Sequence, residues 1–260
     1  MSGFLMKYMI IPRYLTAPSL RRPGIPADLM RFMVAHDTGN PGSTAAGNVY
    51  YYENSRNVME ASAHIFVDDK QIIECIPFLT GTPEKAWHVV YNVSTDNDMF
   101  GDDANDVAGG VELCYGGNID MNEAYKRYVW VMAYSCWTFH LDPTVHVTGH
   151  FILDPARKVD PMNALKLLGK SFQDLIIDIV NEYTECVEEA AMREELEALK
   201  KEVEELKARN SMAVPEWAKE AVAAASSTLC KDGKPLIDTP DGGSYDFYRL
   251  LTTIHRKGLI

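Results

Sequence analysis

Over the first 181 residues, short β-rich runs alternate with segments of helical length. Residues 31–35 are apolar after the leading arginine, and residues 110–114 form a second run interrupted by one acid, Glu112. Both have the length of buried strands. Residues 63–67 and 71–76 are separated by Asp68, Asp69 and Lys70, a turn-type spacing between β-rich runs that predicts a hairpin. Helices are expected over residues 43–58 and 121–140, the second with an apolar face that includes Val129, Met132, Cys136 and Phe139. Residues 4–11, interrupted by Lys7 and followed by Pro12 and Arg13, suit an edge strand. Strands and helices interleaved in this way predict a mixed α/β layer arrangement around one sheet.

The pattern changes at residue 182. Residues 182–209 are dominated by Glu, Lys, Ala and Leu, with ten acidic and five basic side chains. Met192, Leu196, Leu199, Val203 and Leu206 follow the 4-3-4-3 spacing of a heptad seam. This stretch reads either as a solvated helical linker or as a short coiled coil joining two chains through residues 185–209. Asn210 and Ser211 then precede Pro215, Glu216 and Trp217, a break followed by a new helix start. Residues 212–260 hold six acidic and six basic side chains, a neutral balance in a chain of net charge −12. Three parts are therefore expected: residues 1–181, a helical linker at 182–211 and a small module at 212–260.

Composition narrows the functional classes. A chain of 260 residues, 47% hydrophobic, can bury one substantial core and a smaller one. The excess of 37 acidic over 25 basic residues argues against nucleic acid as a partner, because such binding relies on clustered Lys and Arg. Five widely spaced cysteines, Cys75, Cys114, Cys136, Cys186 and Cys230, contain no CxxC pair and suggest small buried hydrophobes rather than disulfides. No apolar run approaches the roughly 20 residues that span a bilayer, so no membrane insertion is expected. The first residues lack the small-residue cleavage site of a signal peptide, which suits synthesis in the cytoplasm.

The chemistry concentrates in two segments. His36 ends the apolar run at 31–35 and is followed by Asp37, Thr38 and Gly39; His150 is followed ten residues later by Asp160, with Arg157 and Lys158 between. Two imidazoles and a carboxylate are the donor inventory of a catalytic zinc that keeps its fourth position open. Glu112, an acid inside an apolar strand, is expensive to bury unless it is paired or functional.

Both segments resemble the zinc-dependent N-acetylmuramoyl-L-alanine amidases, the family that also contains phage lysozyme-type amidases and animal peptidoglycan recognition proteins. The likeness covers about residues 28–165 and rests on His36, on Ser62-Ala63-His64, on Glu112, on His150 and on Lys158 with Asp160, in that order. It implies a central mixed β-sheet flanked by helices, a Zn2+ ion held by His36, His150 and Asp160, Glu112 as general base, and Lys158 facing the reacting carbonyl. It also places His64 and His88 near the cleft, with Trp87 and His88 along the substrate groove and His64 either packing or supporting the site. The implied substrate is bacterial peptidoglycan. The module at 212–260 loosely resembles the small wall-binding tails of phage amidases, which implies binding of a cell-wall polymer, and otherwise reads as a small helical or oligomerisation domain. A phage endolysin, made in the host cytoplasm and released to the wall, fits this layout. Two relatives on the same fold remain as alternatives: a cytoplasmic muropeptide-recycling amidase, favoured by aspartate at 160, and a non-catalytic peptidoglycan receptor, disfavoured by the complete ligand set. An unrelated metallohydrolase is a third.

Overall fold

A computed structural model of the chain describes residues 3–27 and 29–260. One sheet contains β1 (Ile10–Pro12), β2 (Phe32–Asp37), β3 (Ile65–Val67), β4 (Ile72–Glu74), β5 (Ala108–Leu113) and β6 (Val147–Gly149), in the order β1-β4-β3-β5-β2-β6. β3 and β4 form the antiparallel hairpin anticipated around Asp68, whose carboxylate accepts from the amides of Lys70 and Gln71. The other neighbouring pairs are parallel.

All six residues of β2 are buried. A central parallel strand covered on both faces needs a continuous apolar run rather than alternation, and Phe32, Met33, Val34 and Ala35 supply it. Side chains still point to alternate faces. Met33 and Ala35 enter the core beneath α4 (Met121–Thr138), along with Ile65, Val67, Val111 and Leu113. Phe32 and Val34 pack on the opposite face with Val89, Ala104 and Leu153, so His36 continues on that second face. Asp120 caps α4 by accepting from the amides of Asn122 and Glu123. Tyr128 and Trp130 on α4 are fully buried, each contributing roughly 1.5–3 kcal/mol or more by area.

The second face carries α1 (Ala45–Asn54), α3 (Ala104–Val107) and α5 (His150–Leu153), with α2 (Thr95–Phe100) beside them. Thr44 caps α1 by accepting from Gly47 N–H, which starts the helix just inside the expected range. α4 stops at Thr138, and His140 adopts a left-handed φ of 57°, ending the helix ahead of residue 140. The edge strand is shorter than expected. Phe4 instead sits among the rings of Trp130, Tyr134, Trp137 and Tyr183, so its apolar surface is spent on packing rather than pairing.

After α6 (Met162–Leu167) comes α7 (Phe172–Asn210), which begins well before the composition shift at 182 because Leu175, Ile179 and Cys186 are buried. The chain divides into two compact units, residues 1–190 and 191–260. In the second unit, residues 191–210 are exposed throughout. Beyond them, a 3-10 turn at Glu216–Ala218, α8 (Lys219–Ser227) and α9 (Tyr245–Arg256) enclose Ala221, Val222, Ala225, Tyr248 and Leu251. The Tyr248 hydroxyl fixes the intervening loop, donating to the Pro240 carbonyl at 2.7 Å. The cysteines form no disulfide, and Cys75, Cys114, Cys136 and Cys186 are buried. Among the described residues no helix is long and apolar enough to cross a membrane.

Candidate metal centre

The site forms where parallel strands end together. Register pairs His36 of β2 with Glu112 of β5, which sets both side chains side by side on one face. Loops outside the carboxyl ends of such strands are a common place for ligands. His150 opens α5 directly after β6, which pairs with β2, and Asp160 follows in the loop before α6. His36, His150 and Asp160 each offer a ligand atom, all within 4.8 Å of one another. Asp160 Oδ2 lies 2.9 Å from His36 Nδ1 and 3.0 Å from His150 Nδ1.

Asp37 locks the two segments together. Its carboxylate accepts from the backbone amides of Asn163 and Ala164 at 2.9 and 3.2 Å and from the Asn163 side chain at 3.2 Å. The strand that carries His36 is thereby tied to the first turn of α6, just after Asp160. Tyr128 closes the other side: its hydroxyl lies 3.2 Å from the His36 carbonyl and 3.3 Å from that of Val111.

The hydrogen-bond pattern tests whether these residues suit a cation. His88 is 7% exposed, with Nε2 at 3.2 Å from the Ala108 carbonyl and Nδ1 at 3.1 Å from His36 Nε2. A carbonyl only accepts, so His88 carries its proton on Nε2 and presents a bare Nδ1. His36 must then carry its proton on Nε2, which leaves its own Nδ1 lone pair facing the Asp160 carboxylate. Burial holds the His36 imidazole neutral, with its pKa lowered to about 4 despite the Asp160 carboxylate beside it. A neutral lone pair against a carboxylate oxygen at 2.9 Å is repulsive unless a cation lies between them. The donor set therefore fits a metal, with His88 in the orienting role that ligating histidines require. Burial alone would raise the Asp160 pKa, but the imidazoles of His150 and His36 against it outweigh burial and hold the carboxyl far below its usual range.

A cleft of about 570 Å3 opens over this cluster. Glu112 lines it, and its Oε2 is buried without a hydrogen-bond partner. Burial pushes the Glu112 pKa well up, and the charges of Asp160 and Asp37 add to the effect while Lys158 opposes it. Lys158, half-buried, lines the same cleft. Arg157 beside it is paired with Asp154 at 2.6 Å. Trp87, packed against Tyr91 at 5.7 Å between ring centroids, forms the aromatic wall with Tyr52.

The structure thus brings together His36, His150, Asp160, Glu112, Lys158, Trp87 and His88. His64 does not reach the cleft. It is fully buried, accepting from Gly110 N–H at Nδ1 (3.0 Å) and bonding the Glu84 carbonyl through Nε2 (2.9 Å). His88, expected along the groove, also stands behind His36 as its support. A Cβ on Gly110 would come within 2.8 Å of the His88 ring, so the glycine is what admits that ring. Sequence reasoning missed Asp37 and Tyr128; the acid immediately after His36 was the available signal for the first, and nothing marked the second.

The N-acetylmuramoyl-L-alanine amidase family, Amidase_2, matches residues 26–163, a span that contains every residue of this cluster. Among curated proteins, the N-acetylmuramoyl-L-alanine amidase BlyA of Bacillus subtilis (strain 168) is 30% identical over 162 residues, covering 58% of this chain and 40% of that protein. The chain thus spans well under half the length of that relative. Among solved structures, the catalytic domain of XlyA superposes with a TM-score of 0.53 at 22% identity, over 66% of this chain and 99% of that one. The Staphylococcus aureus hydrolase AmiA gives 0.53 at 22% identity, over 69% and 85%. PlyL gives 0.52 at 22%, over 66% and 96%. These likenesses establish the shared fold.

Proposed function

The chain belongs to the N-acetylmuramoyl-L-alanine amidase family, and from that premise we propose that it hydrolyses the amide between N-acetylmuramic acid and the L-alanine of peptidoglycan stems, with zinc as its metal. The observation that carries this reading is the convergence of His36, His150 and Asp160 on one point, with the proton on His36 dictated by His88. Nitrogen and carboxylate donors in a set of three suit zinc with an open position. When bound, the ion would polarise the amide carbonyl and make water a better nucleophile at neutral pH.

The chain's own residues supply the rest. Glu112, largely enclosed and with an unpartnered oxygen on the cleft, accepts the proton of the attacking water and delivers it to the departing alanine nitrogen. The carbon–nitrogen bond breaks, leaving a lactyl carboxylate and a free amino group. Lys158 sets a positive charge beside the carbonyl, where it stabilises the developing oxyanion. Trp87, Tyr91 and Tyr52 give the groove apolar faces on which glycan and peptide can lie. The endolysin assignment draws support from the fold shared with XlyA and PlyL and from the likeness to BlyA. The second unit, with a small core of its own, is assigned the binding of a cell-wall polymer, which would concentrate the enzyme on an insoluble substrate.

Metal analysis tests the assignment. Purified protein should carry one zinc per chain, and His36→Ala should lose metal and wall hydrolysis together. A His36→Ala protein that retains stoichiometric zinc and full activity would remove His36 from the site.

A further inference from the structure

Residues 191–210 form the last turns of α7, and none of them is buried. Met192, Leu196, Leu199, Val203 and Leu206 are between 46% and 59% exposed. Single apolar residues on a surface need no explanation, but five at 4-3-4-3 spacing make one continuous stripe. In proteins most helical stability comes from burying an apolar face, and this one is left uncovered. The stripe needs an occupant.

The flanking charges identify it. In heptad register Leu196 and Val203 occupy a positions, while Met192, Leu199 and Leu206 occupy d. The e positions that follow are Lys200 and Lys207, and the g positions are Glu195 and Glu202. By residue type, Glu188 at g and Arg193 at e extend the pattern. In a parallel pair of helices, g of one chain meets the next e of the other, so Glu195 faces Lys200 and Glu202 faces Lys207, twice over by symmetry. In an antiparallel pair g meets g and e meets e, so glutamates would face glutamates and lysines would face lysines. Within one chain, Lys200 and Lys207 bond the exposed Glu197 and Glu204 at 2.7 and 3.0 Å. Exposed pairs of this kind hold little energy, so they do not compete with a partner. Leucine at d with a β-branched residue at one a position favours two strands.

We infer that residues 191–210 are the seam of a parallel, in-register homodimer, whose occupant is the same segment of a second copy of this chain. A dimer displays two catalytic units and two C-terminal units to a polymeric substrate. The inference stands apart from the reading of the metal centre and holds whatever bond that centre cleaves.

Sedimentation equilibrium of the full-length protein across a dilution series tests it. The expected result is twice the chain mass at high concentration. Leu199→Glu, at an exposed position, should give the single-chain mass with unchanged zinc content. A chain carrying Glu195→Lys with Glu202→Lys, and another carrying Lys200→Glu with Lys207→Glu, should each be monomeric alone and should pair when mixed. Leu206→Cys in a Cys230→Ser background should form an interchain disulfide on oxidation, since only a parallel register brings the two d positions together. A single-chain mass at every concentration, a trimer mass, or a dimer that fails to cross-link at residue 206 would overturn the inference.

Discussion

His88 Nδ1 sits 3.1 Å from His36 Nε2 while its other nitrogen is committed to the Ala108 carbonyl, so one backbone oxygen dictates which nitrogen of His36 is free for a metal. Replacing His88 by alanine leaves all three ligands in place but releases the ring they depend on. Zinc affinity should fall about 10- to 100-fold, as read by competition with a chromophoric chelator. Gly110→Ala should act in the same direction, because its methyl would press on the His88 ring. Unchanged affinity in both variants would detach His88 from the metal centre.

Glu112→Gln preserves shape but cannot take a proton. The variant should keep its zinc and its melting temperature while turnover drops on the order of 10²-fold or more. Near-normal turnover in a folded, zinc-loaded variant would move the base elsewhere.

Removing the metal should destabilise the fold, because the lone pair on His36 and the Asp160 carboxylate are then left facing each other across 2.9 Å. Chelation should lower the melting temperature and zinc should restore it. Free zinc at 100 times its dissociation constant adds about 2.7 kcal/mol. A melting temperature indifferent to chelator and zinc would argue against a metal in the native protein.

His64 yields a prediction about pH. Burial lowers its pKa from 6.5 to about 4 in the folded protein, so between those values the unfolded chain binds the extra proton. Stability is therefore lost as pH falls from about 6.5 toward 4, by up to about 3 kcal/mol from this residue. His64→Leu should cost about 1–3 kcal/mol at pH 7, since Gly110 N–H loses its acceptor, and should show a shallower acid dependence than the parent. Denaturant titrations at neutral and mildly acidic pH measure both. Parallel pH profiles for the two proteins would contradict the assignment.

The centre of the sheet was legible because Phe32 to Ala35 of β2 form a continuous apolar run and β5 is apolar but for Glu112, as doubly covered strands require. His36, His150 and Asp160 were legible from the segments around them. Other features depend on contacts distant in sequence. Asp37 reaches Asn163 and Ala164, Tyr128 reaches the His36 carbonyl, and no local pattern announces either. The role of His88 needed the Ala108 carbonyl to fix its tautomer. The early start of α7 was visible in principle, since Leu175, Ile179 and Cys186 recur at helical spacing. It was masked by the sharper change in charge at residue 182. The short helices α2 and α3 bury too few residues to leave a periodic signal.

The central claim is that this chain cuts the amide joining muramic acid to L-alanine, and end-group analysis of digested cell walls addresses it directly. Purified Gram-positive walls treated with the zinc-loaded protein should gain free L-alanine amino termini on stem peptides and intact lactyl carboxylates on the glycan, identified by mass spectrometry. New reducing sugars, new amino termini within the stem or cross-bridge, or no new ends at all would contradict the account.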